Sequence, residues 1–171
     1  MKLTFRDRLR LAWEFTWPIA LLDLGVVVMI HGAFDAKGEV PDSVWGLIAF
    51  FGVSPWVVRR ALQMRYAGWH VLAVARGVAS KRFNYQQSFK VMWLLAWRSI
   101  PLALVALLVV SALFRVTGVK LPQGSLDDPL VNAFGLSMLD TVSSLVLYPF
   151  LIPGMLKKRY KGFHLEVRSG S

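Results

Sequence analysis

Cysteine is absent from this chain of 171 residues, and acidic side chains are scarce. Because there is no thiol, disulfide bonds, thiolate metal ligands and a cysteine nucleophile are all excluded. Aspartate and glutamate together number 10 against 20 lysines and arginines, and residues 59–90 contain no acid at all. The three histidines lie far apart in the sequence, so their spacing predicts no metal site.

The short motifs that reveal catalysis or nucleotide binding are missing as well. The chain has no Walker loop, no dinucleotide fingerprint, no His-Glu-x-x-His motif and no Gly-x-Ser-x-Gly motif. Ser143 and Ser144 have no base near them in sequence, so no activated nucleophile is indicated. We therefore expect a protein that is not an enzyme and that carries no cofactor.

Apolar residues are abundant, at 56% of the chain, and the net charge is +10. A nucleic-acid-binding protein would carry such charge on a soluble scaffold, so nucleic acid is not an expected partner. Basic residues that face the cytoplasm and anionic lipid would explain both features of the composition. Each of the four apolar runs predicts a transmembrane helix, and they lie at 12–30, 44–58, 91–114 and 130–152.

The placement of the basic residues predicts the topology. Seventeen of the twenty lie at the N-terminus, in the central segment 59–90, in the C-terminal tail or at the start of the third apolar run. By the positive-inside rule these segments face the cytoplasm, and four spans allow both termini to do so. We therefore expect a multi-pass protein of the cell inner membrane with cytoplasmic N- and C-termini.

One short pattern occurs twice, with the second copy ninety-four positions after the first. Each copy consists of a proline followed by Arg-Tyr, a glycine and a histidine at fixed spacing. The residues are Pro55, Arg65, Tyr66, Gly68 and His70 in the first copy, and Pro149, Arg159, Tyr160, Gly162 and His164 in the second. Residues 5–13 also match residues 89–97. Because internal repeats determine architecture, we predict a single membrane domain built from repeats at about 1–80 and 81–171.

Each predicted repeat contains two spans, so both repeats would enter the bilayer from the same side. The predicted fold class is therefore all-α and integral to the membrane, with four transmembrane helices from two tandem parallel two-helix repeats. Short interfacial segments on the cytoplasmic side complete it. This arrangement differs from the inverted repeat that is common in secondary transporters.

The segment around each repeated glycine has a predicted conformation of its own. We expect Gly68 and Gly162 to end their helices as left-handed caps, with extended segments after them. Those two segments are expected to pair with each other, because an open strand needs a partner. His70 and His164 could then approach each other and bind a metal, although two surface histidines that make hydrogen bonds are the favoured interpretation.

Ionisable residues at membrane depth are candidates for function because their burial there is costly. Asp23 and Asp140 both lie near the predicted midplane, and Ser137, Thr141 and Ser144 share a helix face with Asp140. These residues either form a cation or proton site or hold helices together through hydrogen bonds, and the second interpretation is favoured. Glu14 and Arg98 occupy matched positions in the two repeats, which predicts an ion pair between the repeats.

Three functions follow from these patterns, in order of preference. The first is a binding, scaffold or accessory-subunit role at the cytoplasmic membrane face. Its expected partners are anionic phospholipid and either another membrane protein or further copies of the chain. The alternative is a proton- or cation-coupled transporter or channel that uses the midplane aspartates. The third is an intramembrane enzyme that modifies lipid.

Overall fold

A computed structural model describes residues 3–33, 39–117 and 129–169 of the chain. Helix α1 spans Phe5–Val27 and continues into a π-helical turn at Val28–Ala33. The other helices are α2 (Glu39–Ile48), a π-helical turn (Ala49–Val53), α3 (Ser54–Gln63), α4 (Tyr85–Thr117) and α5 (Pro129–Lys157). The strands are β1 (Arg65–Tyr66), β2 (Trp69–Ala75), β3 (Val78–Ser80), β4 (Arg159–Tyr160) and β5 (Phe163–Ser169).

The predicted all-α fold with four transmembrane helices is wrong. The described strands form a five-stranded antiparallel sheet in the order β1-β2-β5-β4, with β3 paired to β2. Within the described residues, only two helices are long and apolar enough to cross a membrane, at Phe5–Ile30 and Ser137–Lys157. One reason is local, because a π-helical turn divides the apolar run at 44–58 between two helices of ten residues each.

The sheet forms because each repeated motif folds back on itself as a hairpin. Gly68 has φ +85° and Gly162 has φ +96°, and each occupies the second position of a two-residue turn. Only glycine adopts such angles readily, which explains its presence in both copies. The prediction that these glycines cap helices is therefore wrong, because α3 and α5 already end at Gln63 and Lys157.

The two longest strands lie side by side and join the two halves of the chain. Strand β2 pairs with β5 in antiparallel register, from Trp69 opposite Ser169 to Val74 opposite His164. This pairing confirms the prediction that the two extended segments meet. Alternate residues of both strands, such as Val71 and Leu165, are buried and form one face of the sheet.

A single hydrophobic core lies where this buried face meets the helices. It contains Leu11 and Phe15 from α1, Leu62 from α3, Val91 from α4 and Met155 from α5, in addition to the buried strand residues. Away from the sheet, the helices expose large apolar side chains to their surroundings, among them Leu21, Leu47, Leu108 and Val146. Exposed apolar surface of this extent marks a contact with lipid or with another protein.

Candidate functional sites at the helix–sheet junction

The tyrosine of the repeated motif donates a hydrogen bond to the end of the helix that precedes it. The Tyr66 hydroxyl donates to the carbonyl of Ala61 at 2.8 Å, and the Tyr160 hydroxyl donates to the carbonyl of Met155 at 3.1 Å. Both carbonyls belong to the last turn of a helix, where backbone acceptors lack intrahelical partners. Each carbonyl also accepts from a backbone N–H at the helix end, that of Met64 at 3.3 Å or of Lys158 at 3.4 Å, so the tyrosine hydroxyl supplies its second hydrogen bond.

Each motif tyrosine also stacks on the aromatic residue that follows the glycine turn. The ring centroids of Tyr66 and Trp69 are 4.2 Å apart, and those of Tyr160 and Phe163 are 4.8 Å apart. Burial of the two phenols raises the pKa of Tyr66 and the pKa of Tyr160. Both tyrosines therefore serve as structural hydrogen-bond donors that stabilise the junction between helix and sheet.

The two motif histidines lie too far apart for a shared metal site. His164 is opposite Val74 in the sheet, whereas His70 is opposite Arg168, so four ladder positions separate them. At roughly 3.3 Å per residue this separation is about 13 Å. Each histidine also faces an arginine within its own hairpin, Arg65 for His70 and Arg159 for His164. Across the described residues, no group of three or more histidine, aspartate or glutamate side chains could hold a metal ion.

The environment of His70 disfavours its protonated form. Partial burial, followed by the nearby positive charges of Lys81, Arg65 and Arg168, lowers the pKa of His70 below its ordinary value. This outer region of the sheet is therefore electropositive. Several cations here could bind a negatively charged partner, and the one acidic residue that the described part of this region contains, Glu166, is already bonded to Arg168 at 3.2 Å.

A groove runs along the rim of the molecule where α4 meets the second hairpin, and its volume is about 650 Å³. We call it the rim groove. Four of its lining residues are basic and five are aromatic. They are Lys90, Lys158, Arg159 and Lys161, and Phe51, Phe89, Trp93, Trp97 and Tyr160, with Leu94 completing the wall. The Lys90 ammonium donates to the carbonyl of Lys161 at 3.1 Å, which ties α4 to the hairpin turn.

The aromatic side of the rim groove is a ladder on one face of α4. Tyr85, Phe89, Trp93 and Trp97 recur at every fourth position, so their rings lie above one another. Phe89 stacks on Trp93 at 6.2 Å and on Tyr85 at 6.3 Å. Half of the surface of Trp93 and 66% of that of Trp97 remain exposed. Exposed indoles beside ammonium groups are typical of the headgroup layer of a membrane.

A second cavity, of about 320 Å³, lies between α1, α3, α4 and α5. We call it the central cavity. Asp140, Thr141 and Ser144 line it, together with Tyr148 and with hydroxyl residues from the facing helices. Ser137 lines a neighbouring apolar groove beside Trp13. Thus three of the four polar residues predicted on α5 share one site.

The two predicted midplane aspartates have different surroundings. Asp23 accepts a hydrogen bond from the indole N–H of Trp45 at 2.7 Å, which ties α1 to α2. It is absent from the wall of the central cavity, whereas Asp140 forms part of that wall. The structure therefore gives Asp23 an interhelical contact and leaves Asp140 as the carboxylate of the cavity.

The predicted ion pair between Glu14 and Arg98 is not formed. Glu14 Oε2 pairs with Arg60 Nη1 at 3.3 Å and accepts from the indole N–H of Trp17 at 3.1 Å. Arg98 instead lies against Gly154, where an added Cβ would come within 2.6 Å of its Nη1. The error has a geometric reason, because each charge meets the second helix of its own repeat and not its counterpart across the repeats.

Sequence reasoning missed several residues that these sites use. Nothing in the pattern distinguished Trp45 as the partner of Asp23 or Tyr148 as a wall of the central cavity. The ladder on α4 could have been found, since aromatic residues at 85, 89, 93 and 97 follow helical spacing. No protein-family model, curated protein or solved structure matches this chain.

Proposed function

We propose that this protein resides in the cell inner membrane and binds anionic phospholipid at the cytoplasmic face through the rim groove. In this arrangement α1 and α5 cross the bilayer, and the sheet lies in the headgroup layer. The start of α1 and the end of α5 both adjoin the sheet, because Asp7 accepts from the Trp69 indole and β4 follows α5 directly. Both termini then lie on the basic side, which the positive-inside rule assigns to the cytoplasm.

The observation that carries the proposal is the composition of the rim groove. Lysine ammonium groups attract a phosphate as compact charges, whereas exposed indole rings pack against the upper part of acyl chains. Lys90, Lys158 and Lys161 are all exposed beside the exposed ring of Trp97. A bound phospholipid would thus place its phosphate on the hairpin and its chains along the aromatic ladder.

The scale of the effect follows from the charges. Each basic residue near an anionic membrane surface contributes about 1 kcal/mol of attraction. Removal of three such residues should therefore weaken binding by roughly 100-fold. A role as a scaffold or accessory subunit would use the same face, with the lipid holding the protein beside its partner.

The test compares lipid retention by the purified protein in a mild detergent, measured by native mass spectrometry with phosphatidylglycerol and phosphatidylcholine. Lys90→Gln/Lys158→Gln/Lys161→Gln should lose phosphatidylglycerol and leave phosphatidylcholine unchanged. The control Arg76→Gln/Lys81→Gln/Arg82→Gln removes the same charge from exposed residues near the turn between β2 and β3, outside the groove. Equal loss in both variants, or no preference of the wild-type protein for phosphatidylglycerol, would contradict the proposal.

A further inference from the structure

The central cavity contains one charged side chain among its described lining residues, the carboxylate of Asp140. Its volume of about 320 Å³ falls at the lower end of the range for small-molecule sites. Most of the remaining wall is apolar, from residues such as Phe15, Met92 and Leu95. A mostly apolar cavity with a few polar groups fixes both the size and the orientation of a ligand.

Four of the six hydroxyl groups that line the cavity already donate their protons to backbone carbonyls. Thr16 donates to the carbonyl of Ala12 at 2.6 Å, and Thr141 donates to the carbonyl of Ser137 at 2.9 Å. On the facing helices, Ser54 donates to the carbonyl of Ala49 at 2.9 Å, and Ser99 donates to the carbonyl of Ala96 at 3.0 Å. A hydroxyl has a single proton to donate and two lone pairs, so these four oxygens can only accept from a ligand.

The other two hydroxyls, of Ser144 and Tyr148, interact with each other, so acceptors predominate among the polar groups of the cavity. A carboxylate at Asp140 and four hydroxyl oxygens all accept hydrogen bonds, which favours a ligand that donates several. An ammonium group has three N–H donors and one positive charge, and it therefore matches this set. The aromatic rings of Phe15 and Tyr148, whose centroids lie 6.4 Å apart, add faces that attract a cation.

We propose that the central cavity binds a small protonated primary amine with an apolar body. The ammonium group bonds to Asp140 and to neighbouring hydroxyl oxygens, and the apolar body lies against the rings and aliphatic side chains. A bare inorganic cation fits less well, because it requires several oxygen ligands converging at about 2.0–2.6 Å. This site is separate from the rim groove, so it does not depend on lipid binding there.

The experiment is calorimetric titration of the detergent-solubilised full chain with phenethylammonium chloride. Two neutral or donor-free relatives, 2-phenylethanol and phenethyltrimethylammonium, test the need for charge and for N–H donors. We expect both to bind at least about tenfold more weakly than phenethylammonium, since each leaves polar groups of the site unpaired. Equal binding of the three compounds would overturn the proposal.

Two kinds of variant distinguish the loss of the Asp140 charge from a loss of folding. Asp140→Asn should weaken phenethylammonium binding about 30-fold or more, whereas Asp23→Asn, whose carboxylate contacts Trp45 outside the cavity and acts on Asp140 only through its charge, should weaken it far less. If Asp140→Asn does not fold, Ala96→Phe keeps the carboxylate but fills the cavity, and it should abolish binding. Binding that survives Ala96→Phe, or displacement of the amine by equimolar potassium chloride, would overturn the assignment.

Discussion

The same hairpin occurs in both halves of the molecule, but the residues that contact it differ between the halves. In the first half, Asp7 at the start of α1 accepts a hydrogen bond from the Trp69 indole at 3.1 Å. The corresponding residues of the second half are Val91 and Phe163, and both are buried in the core. Where a carboxylate is replaced by an aliphatic group, the indole is thus replaced by a phenyl ring without an N–H. Among the described residues, no buried side-chain donor is left without a partner in either half.

A second pair of positions differs in the same coordinated way. Glu14 pairs with Arg60 in the first half, whereas Arg98 lies against Gly154 at the corresponding positions of the second half. Helix α4 has an arginine at the position of the glutamate in α1. Helix α5 correspondingly has a glycine, whose lack of a side chain leaves space for the guanidinium. The tyrosine hydroxyl and the glycine turn are thus common to both halves, whereas the polar pairs around them differ.

The largest effect should follow from removal of the motif tyrosines. Tyr66→Ala and Tyr160→Ala should each lower the free energy of unfolding by about 3–5 kcal/mol, because each removes a buried ring and one of the two hydrogen bonds to a helix-end carbonyl. The measurement is equilibrium unfolding of the protein in mixed micelles with increasing dodecyl sulfate. Tyr66→Phe and Tyr160→Phe keep the ring and should cost only about 1 kcal/mol each. A cost in one half and not in the other would show that the hairpins are not equivalent.

A double-mutant cycle can convert the first half toward the second. Asp7→Val alone should cost about 1–3 kcal/mol of unfolding free energy, because the indole N–H of Trp69 loses its acceptor. Asp7→Val/Trp69→Phe should cost less than the sum of its two single variants by about 0.5–1 kcal/mol. Asp7 also caps α1 through Thr4, but that loss occurs in both Asp7 variants and cancels in the cycle. Strict additivity would show that the coordinated difference between the halves has no energetic basis.

The repeated motif allowed two equivalent extended segments to be predicted, but not the hairpins to which they belong. A proline, a tyrosine, a glycine and a histidine at the same spacing predicted two equivalent segments, and these do pair through β2 and β5. The sheet was underestimated because β1 and β4 contain two residues each, too few for any periodic signal. Their role comes from tertiary contacts, since the hydroxyl of Tyr66 reaches the end of α3.

The candidate sites were less predictable than these segments because they depend on which helices become neighbours. From their depth in the apolar runs, Asp23 and Asp140 were both predicted to lie near the membrane midplane. In the structure the indole of Trp45 binds Asp23, whereas Asp140 lines the central cavity. Likewise, matched positions suggested that Glu14 would meet Arg98. A charge at a matched position is related to its counterpart by the repeat and need not contact it, and Arg60 was the closer partner.

The ion pair of the first half should have a smaller effect than the tyrosines. Glu14→Gln should lower the free energy of unfolding by about 1 kcal/mol, because the side chains of Arg60 and Glu14 remain 30% and 20% exposed and water screens the pair. The same micelle unfolding assay measures it. Arg98→Gln is the matched control in the second half, where the guanidinium lies against Gly154, and its cost should stay within about 0.5 kcal/mol. A larger cost for Arg98→Gln than for Glu14→Gln would reverse the comparison.

The smallest expected effect is electrostatic and concerns the outer region of the sheet. Burial first, and then the charges of Lys81, Arg65 and Arg168, hold the pKa of His70 below its ordinary value of 6.5. A lowered pKa means that the folded protein binds fewer protons at this site than the unfolded chain does. The contribution of His70 to stability is therefore fully present above pH 6.5 and is lost as the pH falls through the folded pKa.

Titration of the histidine side chains by nuclear magnetic resonance in micelles measures this shift directly. Lys81→Gln removes one of the charges that act on His70, so the pKa of His70 should rise toward its ordinary value. Lys158→Gln removes an equal charge from the rim groove and should leave the pKa of His70 unchanged. If both variants shift it equally, the cause is the total charge of the protein and not the cations beside the sheet. Burial would then be the remaining local cause of the lowered pKa of His70.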